Sequence, residues 1–377
     1  MGEWKECQLG DLIIFQRGHD LPKTKMQGGE YPVVGSNGII GYHNEYTTEA
    51  PSITIGRSGN VGKPFLFKGR SWSHNTSLYI KEYKAVDPIF IYYFLQTLDL
   101  GNYAGGSAVP TLNRNHIHTL NVYVPTDIAE QRKIGAVLSA IDDKIELNNA
   151  INENLEQQAH ALFKAWFVDF EPFGGVMPYD WNVGIVSDLS KEIICGKTPS
   201  TKKKEYYGNF MPFITIPDMH NCVYAISTER YLSELGAKSQ SKKTLPKNSI
   251  CVSCIGTAGL VVLVAVDSQT NQQINSIIPK DGYSPYYIYL FMQTLSEKIN
   301  RLGQSGSTIV NLNKAQFGIM EALVPSIVSM NEFDSIVQPL FKLILANQQE
   351  NQRLSAIRDT LLPKLMNGEI DVSAVKI

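Results

Sequence analysis

Two stretches of the chain place residues at alternating spacings of four and three. Ile141, Ile145, Asn148, Asn152, Leu155, Ala159, Leu162 and Trp166 form the first series. Leu340, Ile344, Asn347, Asn351, Leu354, Arg358, Leu361 and Leu365 form the second, 199 positions further on. That alternation predicts two long helices with the seam of a coiled coil. Each seam holds two asparagines, Asn148 with Asn152 and Asn347 with Asn351, which cost stability but specify register and partner orientation. Elsewhere the pattern is short and β-like. PSITIG enters and PFLF leaves a glycine-rich turn at residues 56–63, and ICVSCIG at 250–256 reads as a strand.

The chain also repeats itself once. SITIGRSG at 52–59 is answered by VSCIGTAG at 252–259, HNTS with Asn75 by INSI with Asn275, and the stretch Gly106–Pro125 by Gly306–Pro325, all 200 apart. YYFLQTL at 92–98 is answered by YLFMQTL at 289–295, 197 apart, while Trp4 and Asp11 are answered by Trp181 and Asp188 at 177. An ordered set of matches over most of each half means duplication. The second copy therefore gains about 23 residues, which we assign to a loop in the lysine-rich stretch TKKKEYYGNFMPFITIPDM at 201–219, where specificity is varied on a constant scaffold.

The expected fold is α+β: two pseudo-twofold-related, β-rich globular domains joined by two long antiparallel coiled-coil helices. The boundaries are 1–126 for the first domain, 127–176 for its helix, 177–326 for the second domain, and 327–377 for the distal helix and tail. Residues 130–168 as one helix span roughly 58 Å at 1.5 Å per residue, which makes the helices a spacer between two heads.

A composition of 43% apolar and 19% charged residues is that of an ordinary folded protein. No signal-peptide pattern opens the sequence and no apolar run reaches about 18 residues, so a cytoplasmic protein without a membrane span is expected. The overall charge of −2 is unevenly distributed. Residues 1–125 have 11 Lys/Arg against 10 Asp/Glu, residues 178–325 have 14 against 11, and the two helical regions together have 9 against 15.

Several chemistries fail on spacing. GRSGNVGKP at 56–64 suggests a phosphate-binding loop, but Pro64 stands where magnesium needs a hydroxyl and Arg57 where the first glycine belongs. Cys251 and Cys254, with Cys222 and His220 upstream, suggest zinc, but positions i and i+3 of a strand face opposite ways, and buried reduced thiols are the better reading. A nuclease-like set of Pro125, Asp127, Asp142 and Lys144 breaks down because Asp142 and Lys144 lie within the helical run.

The stretches EQRKIGAVLSAIDDKIELNNAINENLEQQAHALFKAWFVDFEP and NQQENQRLSAIRDTLLPKLMNGEIDV resemble the central and distal conserved regions of the specificity subunits of type I restriction-modification enzymes. The resemblance spans nearly the whole chain. It implies a subunit without its own catalysis, which reads a bipartite double-stranded DNA target, one half-site per globule, with the helices setting the spacer. It also implies two adenine-N6 methyltransferase subunits as partners, together with motor-nuclease restriction subunits. S-adenosylmethionine, and ATP with Mg, belong on those partners, with no cofactor on this chain. The sequence agrees in lacking both the Asn/Asp-Pro-Pro-Tyr/Phe tetrapeptide of such a methyltransferase and a G-x-G-x-x-G after a strand.

Base-edge readout calls for Arg, Asn, Gln, Ser or Thr on presented loops, and phosphate contact for Lys and Arg. Arg57, Ser58, Asn60 and Lys63, with His74, Asn75 and Thr76, are the candidates in the first domain. In the second, Thr257 and Ala258 are expected in the places of Arg57 and Ser58, so readout shifts to Thr257, Gln272, Gln273 and Asn275, with Lys202, Lys203 and Lys204 for phosphate. The alternative is a two-headed coiled-coil adaptor that binds protein and never touches DNA, since the globules are only weakly basic.

Overall fold

The computed structural model describes residues 3–106, 110–304 and 312–376. The Gly306-Ser307 part of the repeat lies outside them. Contacts divide the chain into two compact units, Met1–Ile145 with Arg353–Ile377, and Glu146–Gln352. This division cuts across the four segments drawn from the sequence, because the long helices Ile128–Phe167 and Ile327–Met366 each contribute residues to both units.

The first unit is built on a four-stranded antiparallel sheet in the order Ile13–Arg17, Ser77–Tyr83, Ser52–Gly56, Pro64–Phe67. All five residues of Ser52–Gly56 are buried, which is why the strand reads as a continuous run and not as an alternation. A smaller sheet orders Gly38–His43, Tyr31–Gly35 and Trp72–Ser73. Helix Pro88–Gln96 starts where the Asp87 carboxylate accepts from Ile89 N at 2.9 Å and Phe90 N at 3.0 Å, with Pro88 at a position whose missing N–H costs nothing. Its Phe90, Ile91 and Phe94 share a core with Ile55, Leu78 and Ile134, and with Leu365 and Met366 near the end of the second long helix. The tail closes that core. Val372 is buried in it, Lys133 Nζ donates to Ser373 O at 2.6 Å, and Gly368, at φ +76°, lies so close to the Trp4 ring that a Cβ there would stand 3.1 Å from Cε2.

The second unit repeats the plan with additions. Its sheet runs Ser190–Cys195, Ile274–Pro279, Ile250–Ser253, Val261–Val264, and then an extra edge strand, Tyr224–Ala225. Helix Pro285–Thr294 is capped by Ser284 as its counterpart is by Asp87. Phe163, Phe167, Trp181, Tyr287 and Phe333 form an aromatic core, with Phe167 and Phe333 rings 4.8 Å apart. Trp181 Nε1 donates to Ser329 Oγ at 3.2 Å, as Trp4 Nε1 in the first unit does to Glu130 Oε1 at 3.4 Å, so each tryptophan ties its unit to the first turn of a long helix.

Cys251 belongs to a small core cluster with Ile194, Val262 and Ile274, whereas Cys254 belongs to the separate, larger cluster that holds Tyr287 and Phe333. The strand has sent them to opposite faces. Burial pushes the Cys251 thiol up to about 12 and that of Cys254 to about 11. Among the described residues no group of His, Cys, Asp or Glu is arranged to hold a metal, and no helix is long and apolar enough to cross a membrane.

Within the second unit the long helices meet antiparallel through their asparagines. Asn347 Nδ2 donates to Asn152 Oδ1 at 2.9 Å, and Asn148 Nδ2 to Asn351 Oδ1 at 2.8 Å. Within the first unit the seam position Arg358 donates from Nη1 to Asp142 Oδ1 at 2.8 Å, and Asp142 Oδ2 accepts from Tyr93 Oη at 2.6 Å. Asp142 is thus held as a structural acceptor.

Most of the additions to the second unit fall after the lysines, meeting the stretch 201–219 only at its end. Val34 pairs with Ser73 in parallel as Ile214 does with Thr270, which matches the segments up to residue 214 at a shift of 180. The reciprocal bonds between Thr48 and Ser71 recur between Leu245 and Ser268, a shift of 197. Of the extra residues, the 17 that separate a shift of 180 from one of 197 therefore lie between 215 and 244, around strand Tyr224–Ala225 and helix Glu234–Lys238. The lysine turn is common to both units: Met26 N donates to Lys23 O at 3.2 Å, and Tyr206 N to Lys203 O at 3.0 Å.

Candidate nucleic-acid interface

The turn after Ser52–Gly56 is closed by its own backbone. Gly56 N donates to Lys63 O at 3.1 Å, Gly62 N to Gly56 O at 2.8 Å and Val61 N to Gly59 O at 3.0 Å. In the second unit Ser253 N donates to Leu260 O at 2.9 Å, Gly259 N to Ser253 O at 2.9 Å and Ala258 N to Gly256 O at 3.0 Å. Gly59 and Gly62 have φ of +84° and +79°, and Gly256 and Gly259 have +78° and +93°, a left-handed region open mainly to glycine. The equivalent pairs are therefore Gly59 with Gly256 and Gly62 with Gly259.

This register is 197, not the 200 taken from the sequence, and it changes the partners of the candidate residues. Arg57 N accepts its place by donating to Thr76 O at 2.8 Å, and Cys254 N does the same to Gln273 O at 2.8 Å, so Cys254 stands where Arg57 does. Thr257 occupies the place of Asn60, Leu260 that of Lys63, Gln272 that of Asn75 and Gln273 that of Thr76. Asn275 pairs with Val252 as Leu78 pairs with Ile55. It is 2% exposed and its Nδ2 donates to Leu312 O at 3.0 Å. Asn275 is a core residue behind the turn and cannot reach a base edge, which corrects its assignment as a reader.

The other candidates divide by what already holds them. Asn60, Lys63, Thr257 and Gln272 are exposed, and Arg57, Ser58 and Gln273 half-buried. Lys63 Nζ lies 5.7 Å from the centre of the Phe65 ring. Asn75 Nδ2 donates to Asp20 Oδ1, and Thr76 Oγ1 accepts from Ser36 N at 3.3 Å and sits 3.0 Å from His74 Nδ1. Burial pulls the His74 imidazole below its ordinary value, which favours the neutral ring. His74, Asn75 and Thr76 are thereby fixed as the wall of the turn. Gln272 Oε1 accepts from Thr198 Oγ1 at 2.7 Å, and Gln273 Oε1 from Asn271 Nδ2 at 2.9 Å. Lys202, Lys203 and Lys204 are exposed, with Lys203 Nζ donating to Tyr206 Oη at 3.2 Å. Sequence reasoning missed Lys23 and Lys25, the exposed lysines on the matching turn of the first unit. The signal was there in PKTK against STKKK, but the misplaced insertion hid it.

The first turn thus presents Arg57 and Lys63, while its twin presents a buried thiol and Leu260. Two units of one design, with differently charged loops and with parts of both long helices in each, define a chain built by duplication. The chain matches the model of the type I restriction modification DNA specificity domain over residues 1–157 and 178–358, and it belongs to that family. It is 38% identical over 329 residues to the type I restriction enzyme HindI specificity subunit of Haemophilus influenzae, covering 69% of this chain and 71% of that one. It is 29% identical over 303 residues to the MjaIX specificity subunit of Methanocaldococcus jannaschii, covering 75% and 69%. The crystal structure of the S subunit from M. genitalium shares the fold, with a TM-score of 0.67 and 18% identity over 97% of this chain and 96% of that one. The chain is a DNA specificity subunit of a type I restriction-modification system.

Proposed function

We propose that each unit reads one half-site of a bipartite, asymmetric DNA target, that the paired helices hold the two at a set separation, and that the chain itself performs no catalysis. The observation that supports this reading is the pair of glycine turns: one backbone path in both heads, presenting different side chains. One scaffold with two loop chemistries suits a target whose halves differ in sequence. Arg57 and Lys63 serve the first half-site, and Lys202, Lys203 and Lys204 supply phosphate contacts at the second, where the turn itself has no cation.

In this reading two adenine-N6 methyltransferase subunits carry S-adenosylmethionine and add much of the phosphate contact that weakly basic heads lack. Restriction subunits use ATP with Mg, and the complex works on DNA in the cytoplasm. The test is footprinting of the chain assembled with its methyltransferase. Arg57→Ala with Lys63→Ala is expected to weaken protection of one half-site only; equal loss at both rejects the assignment. Adding helical turns within residues 141–166 should lengthen the spacer preferred in N6-methyladenine maps, at about 1.5 Å per inserted residue. An unchanged spacer argues against the helices as the ruler.

A further inference from the structure

A third loop joins the glycine turn in the first unit. Strands Tyr31–Gly35 and Gly38–His43 form a hairpin whose turn is Ser36-Asn37-Gly38, with φ +92° at Gly38. Ser36 N donates to Thr76 Oγ1, and a Cβ on Gly59 would stand 3.2 Å from Ser36 Oγ, so this turn lies against both the glycine turn and the 74–76 wall. Ser36 is buried, but Asn37 beside it is exposed, and its amide takes no hydrogen bond among the described residues. The strand that follows shows Ile39 and Tyr42 to solvent at 51% and 50%. Gly41 packs against Met26, which sets the turn bearing Lys23 and Lys25 along the same hairpin.

The second unit lacks this surface. Its matching strand is reduced to Tyr231–Leu232, Leu232 is fully buried, and the turn is replaced by residues 215–229, tied by Asp218 to Thr215 N and Glu229 N at 2.8 Å each. A protein partner bound alike by both heads needs its surface on both. What differs between the heads, in the reading given above, is the half-site.

Resting on that reading, we propose that the hairpin Tyr31–His43 is a base-reading element of the first head, entering the major groove with Asn37 at its tip. The major groove admits a two-stranded ribbon, and a carboxamide offers a donor and an acceptor that match the N7 and N6 edge of adenine. Ile39 then supplies apolar surface for a thymine methyl, and Lys23 and Lys25 reach flanking phosphates.

The experiment measures affinity of the chain assembled with its methyltransferase for its mapped target and for every single base-pair replacement in both half-sites. Asn37→Ala is expected to lose about 5- to 100-fold of discrimination at one base pair of one half-site, with the other half-site unchanged. Retained discrimination at every position overturns the proposal. So does uniform weakening over all sequences, which marks a backbone contact, and so does loss of co-purifying methyltransferase, which marks a protein-docking surface. Positive φ in the turn is confined to Gly38, so alanine fits at 37; an unchanged melting temperature verifies this, and Asn37→Ser repeats the measurement should alanine lower it. Wild-type complex without sequence preference refutes the DNA reading itself, an outcome distinct from a selective wild type with an indifferent Asn37→Ala.

Discussion

Asn148 Nδ2 donates to Asn351 Oδ1 at 2.8 Å and to Glu350 Oε2 at 2.7 Å, from a side chain that is 1% exposed. Asn148→Leu removes that donor and leaves both acceptors without it, at a cost of about 1–3 kcal/mol. Asn148→Leu with Asn351→Leu removes the pair together and is expected to recover most of the loss, because a seam asparagine trades stability for register. Urea midpoints of the single and double variants decide it: a double variant as weak as the sum of the singles contradicts the pairing.

Gly62 combines a φ of +79° with a position at which a Cβ would lie 2.3 Å from Gly101 N. Gly62→Ala should therefore cost at least about 1–3 kcal/mol in thermal or chemical unfolding. Gly105→Ala, with nothing within 4 Å, should stay within about 0.5 kcal/mol of wild type. Equal effects at the two sites would mean that the turn relaxes freely.

Lys63 is exposed on the first turn, where Leu260 stands in the second. If Lys63 neutralises one phosphate, Lys63→Ala should lower the slope of log K against log salt by about 0.9 for the assembled complex. An unaltered slope removes Lys63 from the phosphate contacts.

Glu156 accepts from Tyr289 Oη at 3.3 Å, yet burial outweighs that bond and holds its carboxyl above the ordinary carboxylate value. The unfolded chain therefore gives up this proton at lower pH than the folded chain does. The stability linked to Glu156 is fully present below the unfolded value and is lost as pH rises through the folded one. Glu156→Gln is accordingly expected to raise the melting temperature at neutral pH, with the gain shrinking toward pH 4. A gain independent of pH would sink this account.

The long helices were legible because a spacing of four and three repeats over about seven turns, and the glycine turns because Gly56, Gly59 and Gly62 sit where few other residues do. Register within those turns was not legible, for a physical reason. Glycines three apart can be slid by three without any change in letters, and only φ and the bonds of Gly62 and Gly259 to the preceding strand tell the settings apart. That slip turned Asn275, a core residue, into an apparent counterpart of Asn75. It also displaced the insertion, since the extra strand Tyr224–Ala225 and helix Glu234–Lys238 are too short to announce themselves by periodicity.

Because Leu365, Met366 and Val372 complete the core around Phe90 and Ile134, the head made first on the ribosome is the one finished last. Glu146–Gln352 is continuous in sequence and has all its parts once Gln352 has been made. The earlier head must keep the seat beneath Trp4 open until Gly368 arrives, more than 350 residues after its first strand. Synthesis therefore couples the halves in time: a chain halted before Arg353 has a second head with all its parts and a first head with an open core.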